Sequence, residues 1–290
     1  MAVLISLHDR ERIEAYLRQE PYVNIYSLGD LDGGQWPFTV WYGLADGDRL
    51  RALALVYTRL STPTLLALGG AGDQEHLRRL VGEMAPLLPP RLYAHLNLGL
   101  SDILAARYDV ASRGEHYKMA WADRSRLGGV ATDGVVRLGP GDAEELSAFY
   151  AASYPEAFFE PCMLEAGPWM AVRDRAGRLL SVAGLHVCSV AYRVAAAGTI
   201  ATHPDHRSRG HARAAVAGLC RELEGTMDHI GLNVKADNTA AIRCYRALGF
   251  EPVASYEECL LTLRDNATKY GRSPEKSCRK NPVDIQGHEY

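Results

Sequence analysis

Thirteen consecutive residues carry the densest chemistry in this chain: Ile200-Ala201-Thr202-His203-Pro204-Asp205-His206-Arg207-Ser208-Arg209-Gly210-His211-Ala212. They read as the end of a strand, a short basic turn and the start of a helix. Pro204 has no N–H to give a ladder, so a strand stops there. From Ala212 the apolar residues recur at Ala215, Val216, Leu219, Cys220 and Leu223, one face of a helix. Gly210 and Ala212 leave the first turn of that helix bare. Unpaired amide N–H groups, a helix N-terminus and the guanidinium groups of Arg207 and Arg209 therefore converge, which is the physics of a phosphate site. The stretch lacks the Gly-Lys-Ser/Thr ending of a P-loop and is not G-x-G-x-x-G.

A second stretch runs Leu232-Asn233-Val234-Lys235-Ala236-Asp237-Asn238, then Ala241, Tyr245 and Leu248-Gly249-Phe250. Asn238 is placed to cap a helix, with Asp237 as a competing cap. Tyr245 follows seven residues, about two turns, later and lies on the same helix face. A phenol with an ordinary pKa near ~10 is protonated at neutral pH and can give its proton to a thiolate. The spacing Arg207-x-x-Gly210-x-Ala212 resembles the pyrophosphate motif of the GNAT acetyltransferases, and Asn-x-x-Ala-x-x-x-Tyr followed by Leu-Gly-Phe resembles that family's later strand–helix–strand. The resemblance covers roughly half the chain, from Gly134 to Leu263, and the wording of both stretches is most similar to the glycine N-acyltransferase-like branch.

The resemblance implies acetyl-CoA as cosubstrate, with no metal. It implies that Arg207, Ser208, Arg209, Gly210, His211 and Ala212 cradle the pyrophosphate. It further implies that Ile200 and Thr202 mark a strand splayed from its neighbour so that free backbone N–H groups meet the pantetheine arm and the thioester. Asn238, Ala241 and Tyr245 contact CoA from the next helix, and Tyr245 is the general acid. His203 and His206 flank the turn as solvent-facing groups, with no further ligands to make a metal site. No Asp or Glu lies between Tyr192 and Thr202, so the strand carboxylate many GNAT enzymes use as base is missing; Glu160, Glu165 and His186 are the remaining polar candidates.

The whole chain must position these groups. Its 290 residues are 47% hydrophobic and 23% charged, enough for one large or two ordinary globular domains. A net charge of −3 gives no general attraction to nucleic acid. The cysteines Cys162, Cys188, Cys220, Cys244, Cys259 and Cys278 form no C-x-x-C pair, which excludes a zinc knuckle. No basic region precedes the apolar residues of Met1–Leu7, and no apolar run is long enough to span a membrane, so a cytoplasmic location is the default.

Helices are expected over Asp9–Gln19, over Tyr22–Leu31 and after Asp73 as cap, with strands at Phe38–Leu44, Leu50–Thr58, Thr64–Leu68, Leu92–Leu96 and Tyr117–Trp121. Asp123–Thr132 reads as a linker. Beyond it, a strand at Val135–Leu138 and a helix from Asp142 precede an aromatic segment, Tyr154–Gly167, in the place of the family's acceptor-binding piece. The hairpin Trp169–Arg173 with Leu179–Val190 and the strand Tyr192–Thr202 then lead to the basic turn. The expected fold class is α/β with a mixed sheet, in tandem GNAT-like domains: residues 1–125, degenerate; residues 133–264, carrying the CoA site; and residues 265–290, a polar tail expected to be disordered. The first half's own Gly-rich turn, Leu68-Gly69-Gly70-Ala71-Gly72-Asp73-Gln74-Glu75, offers carboxylates where a cradle needs cations, so it is not expected to bind CoA.

The reading is acetyl transfer to a small primary amine or amino-acid-like acceptor, as a monomer or homodimer. The alternatives are a longer-chain acyl-CoA:amino acid N-acyltransferase, a CoA-binding regulator without catalysis, and an aminoacyl-tRNA-dependent transferase, which would need a basic groove that the sequence lacks.

Overall fold

The computed structural model describes residues 2–264; the expected tail lies outside them. The first half runs β1 (Val3–Leu7), α1 (Arg10–Leu17), α2 (Ile25–Gly29), β2 (Thr39–Asp46), β3 (Arg49–Tyr57), β4 (Thr64–Ala67), α3 (Gln74–Met84), β5 (Arg91–Asn97), α4 (Ser101–Leu104) and β6 (Tyr108–Trp121). The second runs β7 (Val135–Leu138), α5 (Ala143–Ser153), α6 (Met163–Ala166), β8 (Trp169–Arg173), β9 (Leu179–Ser189), β10 (Val194–Thr202), α7 (His211–Leu223), β11 (His229–Lys235), α8 (Thr239–Ala247) and β12 (Phe250–Leu263). The two halves repeat one order of elements.

All twelve strands of the described residues form one sheet in the order β1-β2-β3-β4-β5-β12-β6-β11-β10-β9-β8-β7. Neighbours are antiparallel except β4 with β5 and β10 with β11. The closing strands are exchanged: β12, last in the second half, pairs with β5 of the first, while β6 pairs with β11 of the second. A long antiparallel ladder from Phe250↔Trp121 to Leu263↔Tyr108 joins β12 to β6 at the centre. The mixed sheet and α/β class are as the sequence implied; the exchange was not foreseen, because nonlocal strand partners leave no local pattern.

Amphipathic helices cover the sheet. From α7, Ala215, Val216, Leu219, Cys220 and Leu223 are buried, and from α3, Leu77, Leu80, Val81 and Met84. Full burial of each Leu or Val side chain contributes about 1.5–3 kcal/mol. Asp9 caps α1 as expected, its Oδ1 accepting from Arg12 N at 3.0 Å. Asp73 does not cap α3; its carboxylate instead accepts from the Tyr16 hydroxyl at 3.3 Å. The apolar residues Val3–Leu7 form an edge strand on β2 that was not expected, having no turn residues ahead of them to announce it.

The segment between the halves is packed rather than loose. Leu127 and Val130 are buried, and Arg221 on α7 donates to the carbonyls of both, at 3.1 and 2.7 Å. Gly249, in the Leu-Gly-Phe turn, has φ +93, and a Cβ there would lie 1.9 Å from the Asp123 carbonyl oxygen. Ala at this position meets both a disfavoured backbone conformation and fixed main chain. Gly249→Ala is expected to lower unfolding free energy by about 3 kcal/mol in urea titrations; an unshifted midpoint would contradict the close approach.

Candidate active site

The parallel strands β10 and β11 pair from Val194↔His229 only as far as Ala197↔Leu232. Beyond that point β11 keeps its bonds to β6 through Lys235, while β10 follows β9. The cause is an irregularity in β10, where register against β9 shifts between Ala196 and Ala197 and again between Gly198 and Ala201. Thr199 sits in it with φ 48, a left-handed conformation unfavourable for a β-branched residue, and its carbonyl is held by the Tyr150 hydroxyl at 2.7 Å. The bulge leaves a notch between the two strands. Ser153 Oγ and Thr199 Oγ1 are buried and have no hydrogen-bond partner among the described residues.

The basic turn follows. Ser208 and Gly210 both take left-handed φ, 61° and 83°, and Gly210 is the N-cap of α7. Alternating left-handed residues ahead of a helix make a concave set of N–H groups suited to an anion. Arg207 Nε donates to Thr202 O and Nη2 to Ser153 O, both at 3.3 Å, so this side chain ties the turn to the end of β10 and to α5. Arg209 is exposed; its charge and that of His206 help burial to lower the His211 pKa.

Asn238 caps α8, its Oδ1 accepting from Ala241 N at 3.1 Å, and Asp237 pairs instead with Lys235 at 3.2 Å. Tyr245, 7% exposed, packs edge-on against Phe250 at 6.2 Å between ring centroids. Burial pushes its pKa well above the ordinary phenol value, helped by Cys244 and Tyr154. The phenol stays protonated throughout the physiological range.

One cavity of about 2280 Å³ is lined by Ile200, Thr202, Arg207, Ser208, Gly210, His211, Ala212, Asn238, Ala241 and Tyr245. Of the sequence-derived set only Arg209 is absent from its walls. Arg213 on the first turn of α7 and Arg243 on α8 line it too; sequence reading missed both, although Arg213 stands three residues after Gly210, where a first-turn side chain faces the helix N-terminus.

The three polar candidates for the base, Glu160, Glu165 and His186, also line the cavity. The His186 ring covers Gly198, where a Cβ would lie 2.5 Å from it, and Nδ1 is 3.0 Å from the Tyr26 hydroxyl. Desolvation by the surrounding protein lowers the His186 pKa, although the ring is exposed on the cavity wall. Tyr26, on α2, belongs to the first half, and Gln35, Tyr57, Tyr93 and His95 from the same half line the far end. Among the described residues no group of three or more His, Cys, Asp or Glu could hold a metal ion.

The first half has no such notch. Its equivalent strands β4 and β5 pair to the end, Ala67↔Leu96, and Asn97 then closes the gap by accepting from Gly69 N at 3.2 Å and donating to Gly69 O at 3.0 Å. The space beside Gly70 holds the Glu20 carboxylate, whose oxygen would be 3.0 Å from an added Cβ.

Residues 142–250 match the family described as Acetyltransferase (GNAT) family. Solved structures share the fold. A GNAT-family protein from Novosphingobium aromaticivorans aligns over 81% of this chain and 96% of its own at 19% identity, with TM-score 0.55. A Drosophila protein aligns over 90% and 99% at 11% identity and TM-score 0.67. A GCN5-related N-acetyltransferase from Sphaerobacter thermophilus aligns over 89% and 95% at 13% identity and TM-score 0.52. No curated protein sequence matches. The matched segment lies in the second half and is similar to the GNAT acetyltransferases, and the basic turn, the notch and Tyr245 all fall within it. Among the described residues no helix is long and apolar enough to cross a membrane.

Proposed function

We propose that this protein transfers an acetyl group from acetyl-CoA to a primary amine by direct attack, with CoA held only in the second half. The observation that carries the reading is that the notch, the basic turn and the Tyr245 ring all open onto one cavity. Backbone N–H groups freed at the notch receive the thioester oxygen, where fixed dipoles stabilise the charge that develops on it. The neutral amine attacks the carbonyl carbon; the C–N bond forms, the C–S bond breaks, Tyr245 gives its proton to the leaving sulfur, and the proton shed by the acylated nitrogen returns through water to the Tyr245 phenolate. Arg207, Arg213 and Arg243 supply positive charge for the pyrophosphate.

The first half forms the acceptor's wall. The wording of the two stretches supports a place in the glycine N-acyltransferase-like branch, and the free thiols of Cys162, Cys188, Cys220, Cys244 and Cys259 suit a reducing cytoplasm. The test is thiol release from acetyl-CoA with a panel of primary amines. Release that depends on the amine supports transfer. Tight CoA binding with no release from any amine identifies a CoA-binding regulator instead.

A further inference from the structure

The end of the cavity away from the basic turn is built by the exchanged strands. Glu258 on β12 stands opposite His95 on β5 and Gly114 on β6. Its carboxylate accepts from the Tyr256 hydroxyl through Oε1 at 2.6 Å and from the Tyr93 hydroxyl through Oε2. His95 Nε2 lies 3.6 Å from Oε1 and His116 Nε2 3.7 Å from Oε2. The side chain is 14% exposed, and Glu258, Tyr93, His95, His116 and Tyr26 all line the cavity.

The charges here are unusual. Burial raises the Glu258 carboxyl, but the adjoining His95 and the two phenol donors outweigh it, and the group is held below its ordinary range and ionised. Burial lowers the His95 pKa, against the opposing pull of Glu258. Lys118, 2% exposed, is buried in the same cluster. It forms no ion pair with Glu258; its ammonium lies 5.1 Å from the ring centroids of both Tyr26 and Tyr256. Burial lowers Lys118 to about 8. A half-enclosed carboxylate costs several kcal/mol of desolvation unless a cation or donors meet it. A purely structural Glu would be closed off by the lysine next to it. This one is braced by hydroxyls and left open to the cavity, among rings whose faces already hold one alkylammonium group.

An ammonium group on the acceptor would meet this carboxylate from the cavity side through a charge-assisted hydrogen bond. We propose that Glu258, with the Tyr26 and Tyr93 rings, seats a second, positively charged nitrogen of the acceptor, making diamines and other acceptors with a distal ammonium group the preferred substrates. This rests on the acetyl-transfer reading and specifies its acceptor.

Three acceptors that differ only at the far end separate the possibilities: butylamine, 1,4-diaminobutane and 4-aminobutanoate. The wild type is expected to show a KM for the diamine at least about tenfold below that for butylamine, with 4-aminobutanoate poorest, since a charge-assisted bond is worth that factor or more. Glu258→Gln, which removes the charge and keeps one side-chain oxygen to accept from a phenol, is expected to remove the diamine's advantage over butylamine while leaving CoA affinity within about twofold. A preference for 4-aminobutanoate would overturn the seat and place recognition on the arginines Arg91 and Arg113, which also line this cavity. An unchanged diamine preference in Glu258→Gln would overturn it as well. Calorimetry of 1,4-diaminobutane against the wild type and Glu258→Gln reads the seat without chemistry: binding lost in the variant supports it, and equal or absent binding in both refutes it. If no amine of any kind is acetylated while diamine binding still depends on Glu258, the transfer reading fails and the seat stands.

Discussion

Calorimetry on the Arg207→Glu, Gly210→Val double variant is expected to show CoA binding weakened about 100-fold, near 3 kcal/mol. The two substitutions act by different routes. Gly210 has φ 83, yet no heavy atom lies within 4 Å of where its Cβ would be. Valine therefore fits the space and fails on the backbone, since a β-branched residue in the left-handed region costs about 1–2 kcal/mol or more. The turn relieves that cost by moving, and the first N–H groups of α7 lose their common aim. Arg207 matters twice over: its guanidinium fastens the turn to Thr202 O and Ser153 O, and its charge faces the cavity. Glutamate there meets two carbonyl oxygens and a diphosphate with charge of the wrong sign. Gly210→Ala alone separates the effects, with an expected loss of about tenfold from the backbone term. Affinity unchanged in the double variant would remove the turn from CoA binding altogether.

What could be read in the chain beforehand divides along a physical line. Local, periodic signals survived: the Asp9 cap, the apolar face of α7, the strands expected at Phe38–Leu44 and Leu50–Thr58, which pair as β2 and β3, and the Asn238 cap are where the residues say they should be. The basic turn before α7 was legible as a strand end, turn and helix start because its parts are contiguous. The Asp73 cap failed because a tertiary partner, the Tyr16 hydroxyl, competes for the same carboxylate. The bulge that opens the notch left one trace, Gly198 within an otherwise strand-like run; the left-handed Thr199 beside it left none, since only the Tyr150 hydroxyl from α5 reveals how it is held. Glu258, Tyr93, His95, His116, Lys118 and Tyr26 come from four elements spread along the chain, and only the exchange of β6 and β12 brings them together. A cluster assembled by nonlocal pairing has no spacing to read.

Tyr245→Phe is expected to lower kcat by about 10²–10³ while the apparent constant for acetyl-CoA moves by less than about threefold. The case is unusually clean because the Tyr245 hydroxyl has no hydrogen-bond partner within the described residues, so its removal strands no buried donor or acceptor. Its ring remains available to pack on Phe250, and the melting temperature should hold, which keeps a rate loss from being a folding loss. The pH dependence follows from the direction of the pKa. A proton donor fails once pH exceeds its pKa, and burial first, then Cys244 and Tyr154, move this phenol upward. The wild type should therefore show no falling limb from Tyr245 between pH 7 and about 10, although a solvent-exposed phenol would begin to lose its proton at the top of that range. In Tyr245→Phe the leaving thiolate must take its proton from water, and the variant's deficit should narrow when the acyl donor carries a better leaving group than CoA, such as a thiophenol thioester whose thiolate departs without protonation. A variant that turns over at the wild-type rate would make Tyr245 a packing residue of the second half's core and leave the source of the thiolate's proton to be found elsewhere in the cavity.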